Sequence, residues 1–567
     1  MTCDDGIPRF YEELPYPVYA HPICQPDHLA VMAQLHGLSP PPVERCRVLE
    51  LGCASGGNLI PLAARLPGSE FVGVDLAPGQ VEAGRELVRR LGLANLDLRA
   101  GSIMQIGPDW GRFDYILCHG VYSWVDTAVQ EKILAVCRAN LAEQGIAFVS
   151  YNALPGWKMA SVLLDFFHYP GRHSPAVLPR GEQVHRARQL VDIWASFAAD
   201  HRDPLQAFVT AEARWWDGYE DGYIAHEYFE PFNRACYLHE FVTRAQAHRL
   251  RYLADAEPGV LRLADRAKPV QDFLHDCTDP VEVQQYLDFF EARRFRRSLL
   301  CHAEQQAEPA IEAERICQLR VGIVHPAEQT GEEGGGAGEP MLIFGGHGKR
   351  TVETVADPLL QLALSLLSQA APDSLAFAEL WSQCAAQGLQ DGLLAAEATI
   401  PQTSAWAEQR RELAAELLRL FCGGFVRLHT WRLPLDPRLG DRPRAAPLHR
   451  EEARAGWPIT SSHHLRIKLE PFERAVLSRL DGSLDREELA RALATDEASG
   501  AAADAGAAAD AGAAADAGTA ADAGTAADAG TTADAGAGEA GDPGPGERLE
   551  QRLAAALERF RAAGLLI

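Results

Sequence analysis

The sequence lacks any pair of cysteines spaced as C-x-x-C, although it contains 12 cysteines among 567 residues. That spacing is typical of zinc ribbons and thioredoxin-type redox sites, so neither is predicted. No cluster of cysteine and histidine has ligand-like spacing either, and the pair His463-His464 fits a polar surface turn. We therefore expect no metal site, and we interpret the cysteines as buried, reduced thiols of a cytoplasmic protein.

Long apolar runs are also missing. No stretch reaches the roughly 18 apolar residues that a transmembrane helix needs, so no membrane insertion is expected. The first residues, MTCDDGIPRF, contain neither a basic segment nor an apolar core. This composition predicts no secretory signal and again favours a cytoplasmic location.

The chain also has fewer basic than acidic residues. The chain has 53 Lys and Arg against 78 Asp and Glu, which gives a formal net charge of −25. Such a chain repels phosphate backbones, so we expect no nucleic-acid partner. The sequence leaves open whether the protein is a monomer or a homodimer.

What the sequence does contain is a regular alternation of strand and helix patterns near its N-terminus. Short apolar runs end in glycine or an acid, and amphipathic runs separate most of them. The predicted strands are 46–50, 71–75, 96–99, 113–118 and 146–151, and the predicted helices are 59–66, 80–91 and 129–141. This order predicts an α/β fold with a Rossmann-like, doubly wound, mostly parallel sheet.

The remaining segments differ from this region in composition and in their predicted secondary structure. A proline-rich arm with many aromatic residues comes first, ending in a helix near 27–37 for which Asp27 is a plausible N-cap. Helical patterns such as Gln183–Asp200 and Gln284–His302 dominate the middle, and a helix-helix-helix-glycine-strand order occurs twice afterwards. The predicted domains are a 1–35 arm over the active site, a 36–165 ligand-binding domain, a 166–330 helical domain, a 331–356 linker, and a 357–567 tandem winged-helix-like region with a disordered insert at 497–546.

The strongest chemical signal is the run VLELGCASGGN, residues 48–58. A predicted strand ends at Glu50, small residues alternate through the following turn, and a helix begins after it. Such a turn brings backbone amides close to a ligand at a helix N-terminus. The next strand ends at Asp75, where a carboxylate can accept hydrogen bonds from the two hydroxyls of a ribose.

Two ligand classes compete for this turn. A dinucleotide site prefers G-x-G-x-x-G, whereas the sequence has G-x-A-x-G with an acid two residues before the first glycine. This pattern resembles the S-adenosylmethionine-dependent methyltransferases. In those enzymes the acid, here Glu50, helps to hold the methionine end of the cofactor.

A closer resemblance extends over residues 10–305. The runs YEELPYPVYAHPICQPDHLA (11–30), RVLELGCASGGNLIPLA (47–63), FDYILCHGVYSWV (113–125) and FVSYNALPGWKM (148–159) are similar to bacterial methyltransferases that carry a methyltransferase regulatory domain. That group includes the outer-membrane-protein lysine methyltransferases. The resemblance implies a Rossmann-like domain, a helical regulatory domain and a winged-helix-like C-terminal region.

The resemblance also implies a binding site for S-adenosyl-L-methionine. The residues that it assigns are Glu50, Gly52, Ala54, Gly56 and Asn58 at the methionine end, Asp75 with Leu76 and Gln80 at the ribose, Ser102 and Ile103 at the adenine, and His119 and Gly120 beside the sulfonium. Two positions depart from the family pattern. Ala54 replaces a glycine, which is tolerable if its φ stays negative. Ser102 replaces an aspartate, and loss of that acceptor costs about 1.5–3 kcal/mol of cofactor binding.

The acceptor pocket is expected at the loops after the fourth and fifth strands, where ligands of open α/β sheets bind. Tyr16, Tyr19, Trp124 and Trp157 are the predicted substrate-binding residues, because aromatic faces attract a methyl sulfonium. The less favoured alternative is that Trp124 and Trp157 are packing residues. The candidates for orienting the nucleophile are His119, Tyr122, Tyr151 and Asn152.

Three functions follow from these observations. The first is an active methyltransferase, with a protein lysine as the favoured acceptor and a small molecule as the alternative. The second is a regulatory protein that binds S-adenosylmethionine without catalysis. The third is a nucleic-acid-binding regulator that uses the winged-helix-like modules, and the acidity of residues 470–567 argues against it.

Overall fold

A seven-stranded sheet lies at the centre of the N-terminal half of the chain. The computed structural model describes residues 19–172, 179–199, 204–216, 219–230, 233–260, 263, 266–329, 341–345, 351–435, 439–504 and 545–567. Within these ranges, no helix is both long and apolar enough to span a bilayer.

The sheet contains the predicted strands and two more. Its members are β1 (Arg47–Leu51), β2 (Glu70–Asp75), β3 (Leu96–Ala100), β4 (Phe113–Cys118), β5 (Leu141–Asn152), β6 (Leu250–Asp255) and β7 (Phe295–His302). The order is β3-β2-β1-β4-β5-β7-β6, with β1 to β5 parallel and β7 antiparallel to both of its neighbours. The predicted Rossmann-like, mostly parallel sheet is confirmed.

Helices cover both faces of this sheet. The flanking helices are α1 (Pro26–Leu35), α2 (Leu59–Arg65), α3 (Pro78–Leu91) and α4 (Thr127–Asn140), followed later in the chain by α9 (Leu238–Ala247). One apolar cluster joins α1, α2 and α3 to one face, and a second joins α4 and α9 to the other. Because parallel strands are buried on both faces, they consist of nearly continuous apolar residues.

The segment between β5 and β6 is helical, as the sequence predicts. It contains α5 (Gly156–Arg172), α6 (Arg180–Ala199), α7 (Pro204–Trp216) and α8 (Asp221–Phe229), and α10 (Lys268–Leu274) and α11 (Pro280–Phe290) follow β6. The predicted helix Gln284–His302 is wrong in its second half. Its last eight residues form β7, whose register pairs Leu300 with Ala147 of β5. Pairing with an existing buried strand decides the conformation of this apolar run.

The segment predicted as a linker, 331–356, also contains regular structure. The strands β10 (Met341–Gly345) and β11 (Thr351–Val355) pair antiparallel, and β10 also pairs with β9 (Glu328–Gln329). The glycine-rich stretch 331–340 lies outside the described residues. The linker prediction is therefore wrong for 341–345 and 351–355.

The first C-terminal module combines three helices with a small sheet. Its helices are α12 (Pro358–Ala370), α13 (Phe377–Gln390) and α14 (Ser404–Cys422), and its strands β8 (Arg320–Ile323), β12 (Leu375–Ala376) and β13 (Val426–His429) lie in the order β12-β8-β13. Asp27 links this module to the N-terminal arm. It is not the N-cap of α1, which is Gln25, but a residue of the first turn, and its carboxylate accepts hydrogen bonds from His429 and Thr430.

The second module has its own apolar core. Its elements are α15 (Pro447–Arg454), β14 (Ile459–Thr460), β15 (Arg466–Ile467), α16 (Pro471–Leu477), α17 (Arg486–Asp504) and α18 (Pro545–Ala562). The helix α17 continues to Asp504, so the predicted disorder of 497–546 is wrong at that end, and α18 already begins at Pro545. The insert between them, 505–544, lies outside the described residues.

Candidate cofactor and active site

The turn after β1 has the left-handed backbone that a close approach to a ligand requires. Gly52 has φ of +78° and Gly56 has φ of +80°. A Cβ atom on Gly52 would lie 2.4 Å from Cγ2 of Val121. Glycine is therefore required at this position on two counts, backbone conformation and space.

Ala54 departs from what the sequence predicts. Its φ is +48°, in the left-handed region, and not negative as tolerance of its methyl group requires. A side chain in this conformation costs about 1–2 kcal/mol. The backbone amide of Ala54 donates to Oδ2 of Asp75 over 2.8 Å, and this hydrogen bond helps to hold the strained residue in place.

Asp75 stands at the end of β2, as predicted, and organises the loops around it. Its Oδ2 accepts from Ala54, and its Oδ1 accepts from the amide of Ala77 at 2.9 Å. Burial raises the pKa of this carboxyl, while the backbone hydrogen bonds act in the opposite direction. Each carboxylate oxygen has a second lone pair, so two ribose hydroxyls can still be accepted.

Glu50 is the most deeply buried acid of the site, with 4% of its surface exposed. Its Oε1 accepts a hydrogen bond from Nδ2 of Asn58 at 2.9 Å. Its Oε2 is buried and has no hydrogen-bond partner within the described part of the chain. Burial raises the pKa of Glu50 to about 7. A buried acceptor without a donor fits a cationic group such as an α-ammonium, and S-adenosylmethionine carries one at its methionine end.

The residues predicted to flank the ribose and adenine lie on the neighbouring loops. Leu76 and Gln80 are half-buried, one after β2 and the other in the first turn of α3. Ser102 caps the short 3-10 turn Ile103–Gln105, and its Oγ accepts from the amide of Met104. The hydroxyl keeps a second lone pair and its proton for a ligand, but it carries no charge.

His119 lies directly after β4 and is held from two sides. Its Nδ1 is 2.9 Å from Oγ of Ser150, which also accepts a hydrogen bond from the amide of Gly120 at 2.9 Å. The ring of His21 packs edge-on against it at 4.1 Å between centroids. Neither Ser150 nor His21 was identified from the sequence, because nothing in their local sequence distinguishes them.

The structure separates two of the predicted catalytic residues from this group. Tyr122 and Tyr151 lie in the apolar cluster on the α4 and α9 side of the sheet, where both rings contact Phe241. The hydroxyl of Tyr151 contacts Oγ of Ser298 at 3.0 Å. Glu50 instead contacts Asn58 at the start of α2, on the opposite face of the sheet.

Asn152 is the last residue of β5, Trp157 follows it at the start of α5, and Trp124 lies in the turn after β4. The side-chain Nδ2 of Asn152 donates to Oδ1 of Asn233, and the backbone N–H of Asn152 donates to Oγ of Ser123. Trp124 and Trp157 contact each other edge-on at 6.5 Å. Beside them is a cavity of about 450 Å³, lined by Thr127, Gln130, Leu154, Trp157, Lys158, Ser161, Asn233, Arg234, Ala235, Cys236 and Arg244.

The N-terminal arm contacts two later parts of the chain through Tyr19. Its hydroxyl donates to Glu220, and the guanidinium of Arg466 lies over its ring at 3.7 Å. Tyr19 therefore joins the arm to the helical segment and to the second C-terminal module. Tyr16, the other predicted aromatic residue of the arm, lies outside the described residues.

The pair His463-His464 is not a surface turn. The two residues are 7% and 0% exposed, and Nε2 of His464 lies 2.8 Å from Oδ1 of Asn58. The sequence interpretation fails because the contact joins residues 406 positions apart. No local pattern signals a contact of that separation.

Comparison with known families matches three parts of the chain. Residues 48–145 match a methyltransferase domain, residues 220–302 a predicted methyltransferase regulatory domain, and residues 441–519 the C-terminal winged-helix domain of PKMT. The regulatory region thus supplies β6 and β7, the last two strands of the sheet.

Similarity also extends over most of the chain. The protein RP789 of Rickettsia prowazekii is 32% identical over 488 residues, which are 85% of each chain. The structure of PKMT2 from Rickettsia typhi aligns with a TM-score of 0.77 at 24% identity, covering 97% of this chain and 100% of the other. The complex of that enzyme with AdoHcy aligns with the same TM-score at 23% identity.

The observations on the structure and the comparisons lead to the same family. They are the glycine turn, the acids Glu50 and Asp75 of β1 and β2, the seven-stranded sheet and the three matched regions. The chain belongs to the family of S-adenosylmethionine-dependent methyltransferases that carry a methyltransferase regulatory domain.

Proposed function

We propose that this methyltransferase modifies lysine side chains of a protein. The observation that carries the proposal is the match of its C-terminal module to the winged-helix domain of PKMT, together with a fold that follows PKMT2 over 97% of the chain. A module outside the catalytic sheet adds surface that is suited to hold a macromolecular substrate.

The residues that we assign to the cofactor lie along the carboxyl ends of β1, β2, β3 and β4. Glu50 takes the α-ammonium group, because its buried Oε2 finds no donor among the residues that the structure describes. Asp75 takes the ribose hydroxyls. The remaining assignments are Gly52, Ala54, Gly56 and Asn58 at the methionine end, Leu76 and Gln80 beside the ribose, Ser102 and Ile103 at the adenine, and His119 and Gly120 at the sulfonium. The bound cofactor supplies an electrophilic methyl group on its sulfonium.

His119 is the residue that we assign to the acceptor amine. A lysine must lose its proton before it can attack, which costs about 4.6 kcal/mol at neutral pH for a pKa near 10.4. A fixed imidazole can accept a hydrogen bond from the neutral amine and orient its lone pair. Ser150 and His21 fix the ring of His119 for this task.

The other predicted catalytic residues receive supporting roles. We assign Tyr122 and Tyr151 to the packing behind the loops, since their rings are buried against Phe241. Asn152 shapes the loop after β5 through Ser123 and Asn233. Tyr19, Trp124 and Trp157 remain the proposed aromatic surroundings of the acceptor.

One observation favours a second candidate, a small anionic acceptor. The cavity beside Trp157 is lined by Lys158, Arg234 and Arg244 and, among the described residues, by no carboxylate, although Arg244 forms an ion pair with the adjacent Glu131. Cationic walls repel a lysine ammonium and attract a carboxylate or phosphate. A small molecule of that charge would fit this volume.

Transfer of labelled methyl groups distinguishes the two candidates. Purified protein is incubated with labelled S-adenosylmethionine and cell extract, and label is measured in acid hydrolysates of protein and in the small-molecule fraction. Methyl-lysine in the hydrolysate supports the first proposal, and label confined to small molecules refutes it. Asp75→Ala should abolish either transfer, whereas the control Asp97→Ala, at an exposed acid of β3, should retain it.

We also propose that the reaction takes place in the cytoplasm. The support is that the cysteines in the described part of the chain are free thiols, most of them buried. Fractionation of cells expressing the tagged protein tests this, and recovery from an oxidising compartment would contradict it.

A further inference from the structure

The tip of the β14–β15 hairpin in the second C-terminal module lies against the start of α2. Nε2 of His464 meets Oδ1 of Asn58 at 2.8 Å. A second bond fastens the same turn, because the guanidinium of Arg65, the last residue of α2, donates to the carbonyl oxygen of Ser462. Both contacts are buried or part-buried and join residues nearly 400 positions apart or more.

The orientation of the Asn58 amide is determined by its neighbours. The backbone N–H of His21 can only donate, and it lies 3.1 Å from Oδ1 of Asn58. Nδ2 of Asn58 therefore faces Oε1 of Glu50, at 2.9 Å. An oxygen that already accepts from His21 can meet His464 only if Nε2 of His464 carries a proton and donates.

The neutral Nε2–H form of His464 is the one that this environment favours. Nδ1 of His464 is buried without a hydrogen-bond partner in the part of the chain that the structure describes, so a proton there would be unsatisfied. Burial also lowers the pKa of His464 well below its ordinary value, and the nearby Arg65 acts in the same direction. The donor is thus a neutral imidazole.

We propose that His464, at the tip of this hairpin, completes the cofactor site as a positioning residue that fixes Asn58 and thereby the carboxylate of Glu50. This inference rests on the proposed role of Glu50 in holding the α-ammonium group. Without His464, Oδ1 of Asn58 retains only the amide of His21, while Nδ2 retains Oε1 of Glu50 and the more distant Sγ of Cys24. The side-chain amide of Asn58 and the carboxylate that it contacts are then fixed by one hydrogen bond fewer. Oε2 of Glu50 then no longer points consistently at the ligand. The winged-helix module is in this way part of cofactor binding as well as of substrate binding.

Two substitutions test the proposal by replacing the imidazole of His464 with side-chain amides of different length. Gln can place its Nε2 near the position of the imidazole Nε2, whereas Asn is too short to reach Asn58. Asn also tolerates the left-handed backbone of this position, where φ is +62°, so His464→Asn should fold. Calorimetric titration with S-adenosylmethionine should give a Kd about five- to tenfold higher for His464→Asn, and within about twofold of the original for His464→Gln.

A matched control and a double-mutant cycle separate positioning from general stability. His463→Asn changes the neighbouring buried residue, which makes no hydrogen bond to Asn58, and should lower Tm without changing Kd. His464, Asn58 and Glu50 form a chain of contacts that we call the relay. In an Asn58→Ala background, His464→Asn should have no further effect on Kd, because the relay is already broken.

The outcomes distinguish this inference from the proposed site. An unchanged Kd in His464→Asn, or equal effects of His464→Asn and His463→Asn, would overturn the relay. Failure of the unsubstituted protein to bind S-adenosylmethionine would instead overturn the assignment of Glu50 on which the relay depends. The identity of the methyl acceptor affects neither result, since the readout is cofactor binding alone.

Discussion

Replacement of Glu50 by Gln should remove a pH dependence from cofactor binding. Burial raises the pKa of Glu50 to about 7, well above its ordinary value. The charged carboxylate therefore forms as pH rises through about 7, and only that form attracts an α-ammonium group. Affinity for S-adenosylmethionine should rise with pH in the original protein.

The size of the effect follows from the ionised fraction of Glu50. With a pKa of about 7, roughly nine-tenths of the carboxyl is ionised at pH 8 and roughly one-tenth at pH 6. If binding requires the carboxylate, Kd at pH 6 should be about tenfold higher than at pH 8. Gln keeps the shape and an oxygen for Asn58 but has no charge to lose.

Isothermal titration calorimetry at several pH values, with both proteins, is the appropriate assay. The α-amino group of the ligand itself ionises near pH 8, so the informative quantity is the ratio of the two Kd values at each pH. Glu50→Gln should weaken binding most at pH 8, and the two proteins should converge by pH 6. A ratio that does not vary with pH would refute the assignment of Oε2 to the ammonium group.

The same raised pKa predicts a change in stability without cofactor. A folded-state pKa above the unfolded value contributes stability that is fully present below the unfolded pKa and is lost as pH rises through the folded pKa. For Glu50 this window extends from about 4.5 to about 7. Glu50→Gln should therefore unfold at a higher temperature than the original protein at pH 8, and at a similar one at pH 4.5.

Three further substitutions have definite expected results. Ala54→Gly should raise the free energy of unfolding by about 1 kcal/mol, since relief of left-handed strain exceeds the added freedom of the unfolded chain; denaturant titration would contradict this if stability fell. Arg296→Met should lower the free energy of unfolding by about 3–5 kcal/mol, because the buried carboxylate of Asp255 loses its cation and that of Asp288 keeps only Arg293; an effect under about 1 kcal/mol would show that the two carboxylates are protonated. Burial raises the pKa of Glu452 to about 8, so Glu452→Gln should increase Tm at pH 8 but not at pH 4.5, and equal shifts at both would exclude ionisation as the cause.

The sequence was sufficient to predict the first five strands and the glycine turn, because these features are local. Apolar runs of strand length, each bounded by glycine or an acid, specify buried parallel strands without reference to the rest of the chain. The position of Asp75 at the end of β2 follows from the same pattern. The assignment of the residues to cofactor atoms remains a proposal.

What could not be predicted depends on distant partners. The run Phe295–His302 is compatible with helix or strand, and the open edge of β5 decides the outcome. The left-handed φ of Ala54 comes from the path between β1 and α2, and the burial of His464 comes from docking of a module about 400 residues later. The left-handed backbone of an alanine such as Ala54 produces no periodic pattern in the sequence. A contact between residues about 400 positions apart produces none either.

The position of β7 restricts how the protein can be divided or expressed. A fragment that ends at Arg172, after the parallel strands, would leave the ladder of β5 without its antiparallel neighbour. An uncovered edge of buried, apolar strand is a template for intermolecular pairing and aggregation. The smallest unit of the catalytic sheet that covers the edge of β5 therefore extends to His302, and attempts to study that sheet separately should begin with that boundary.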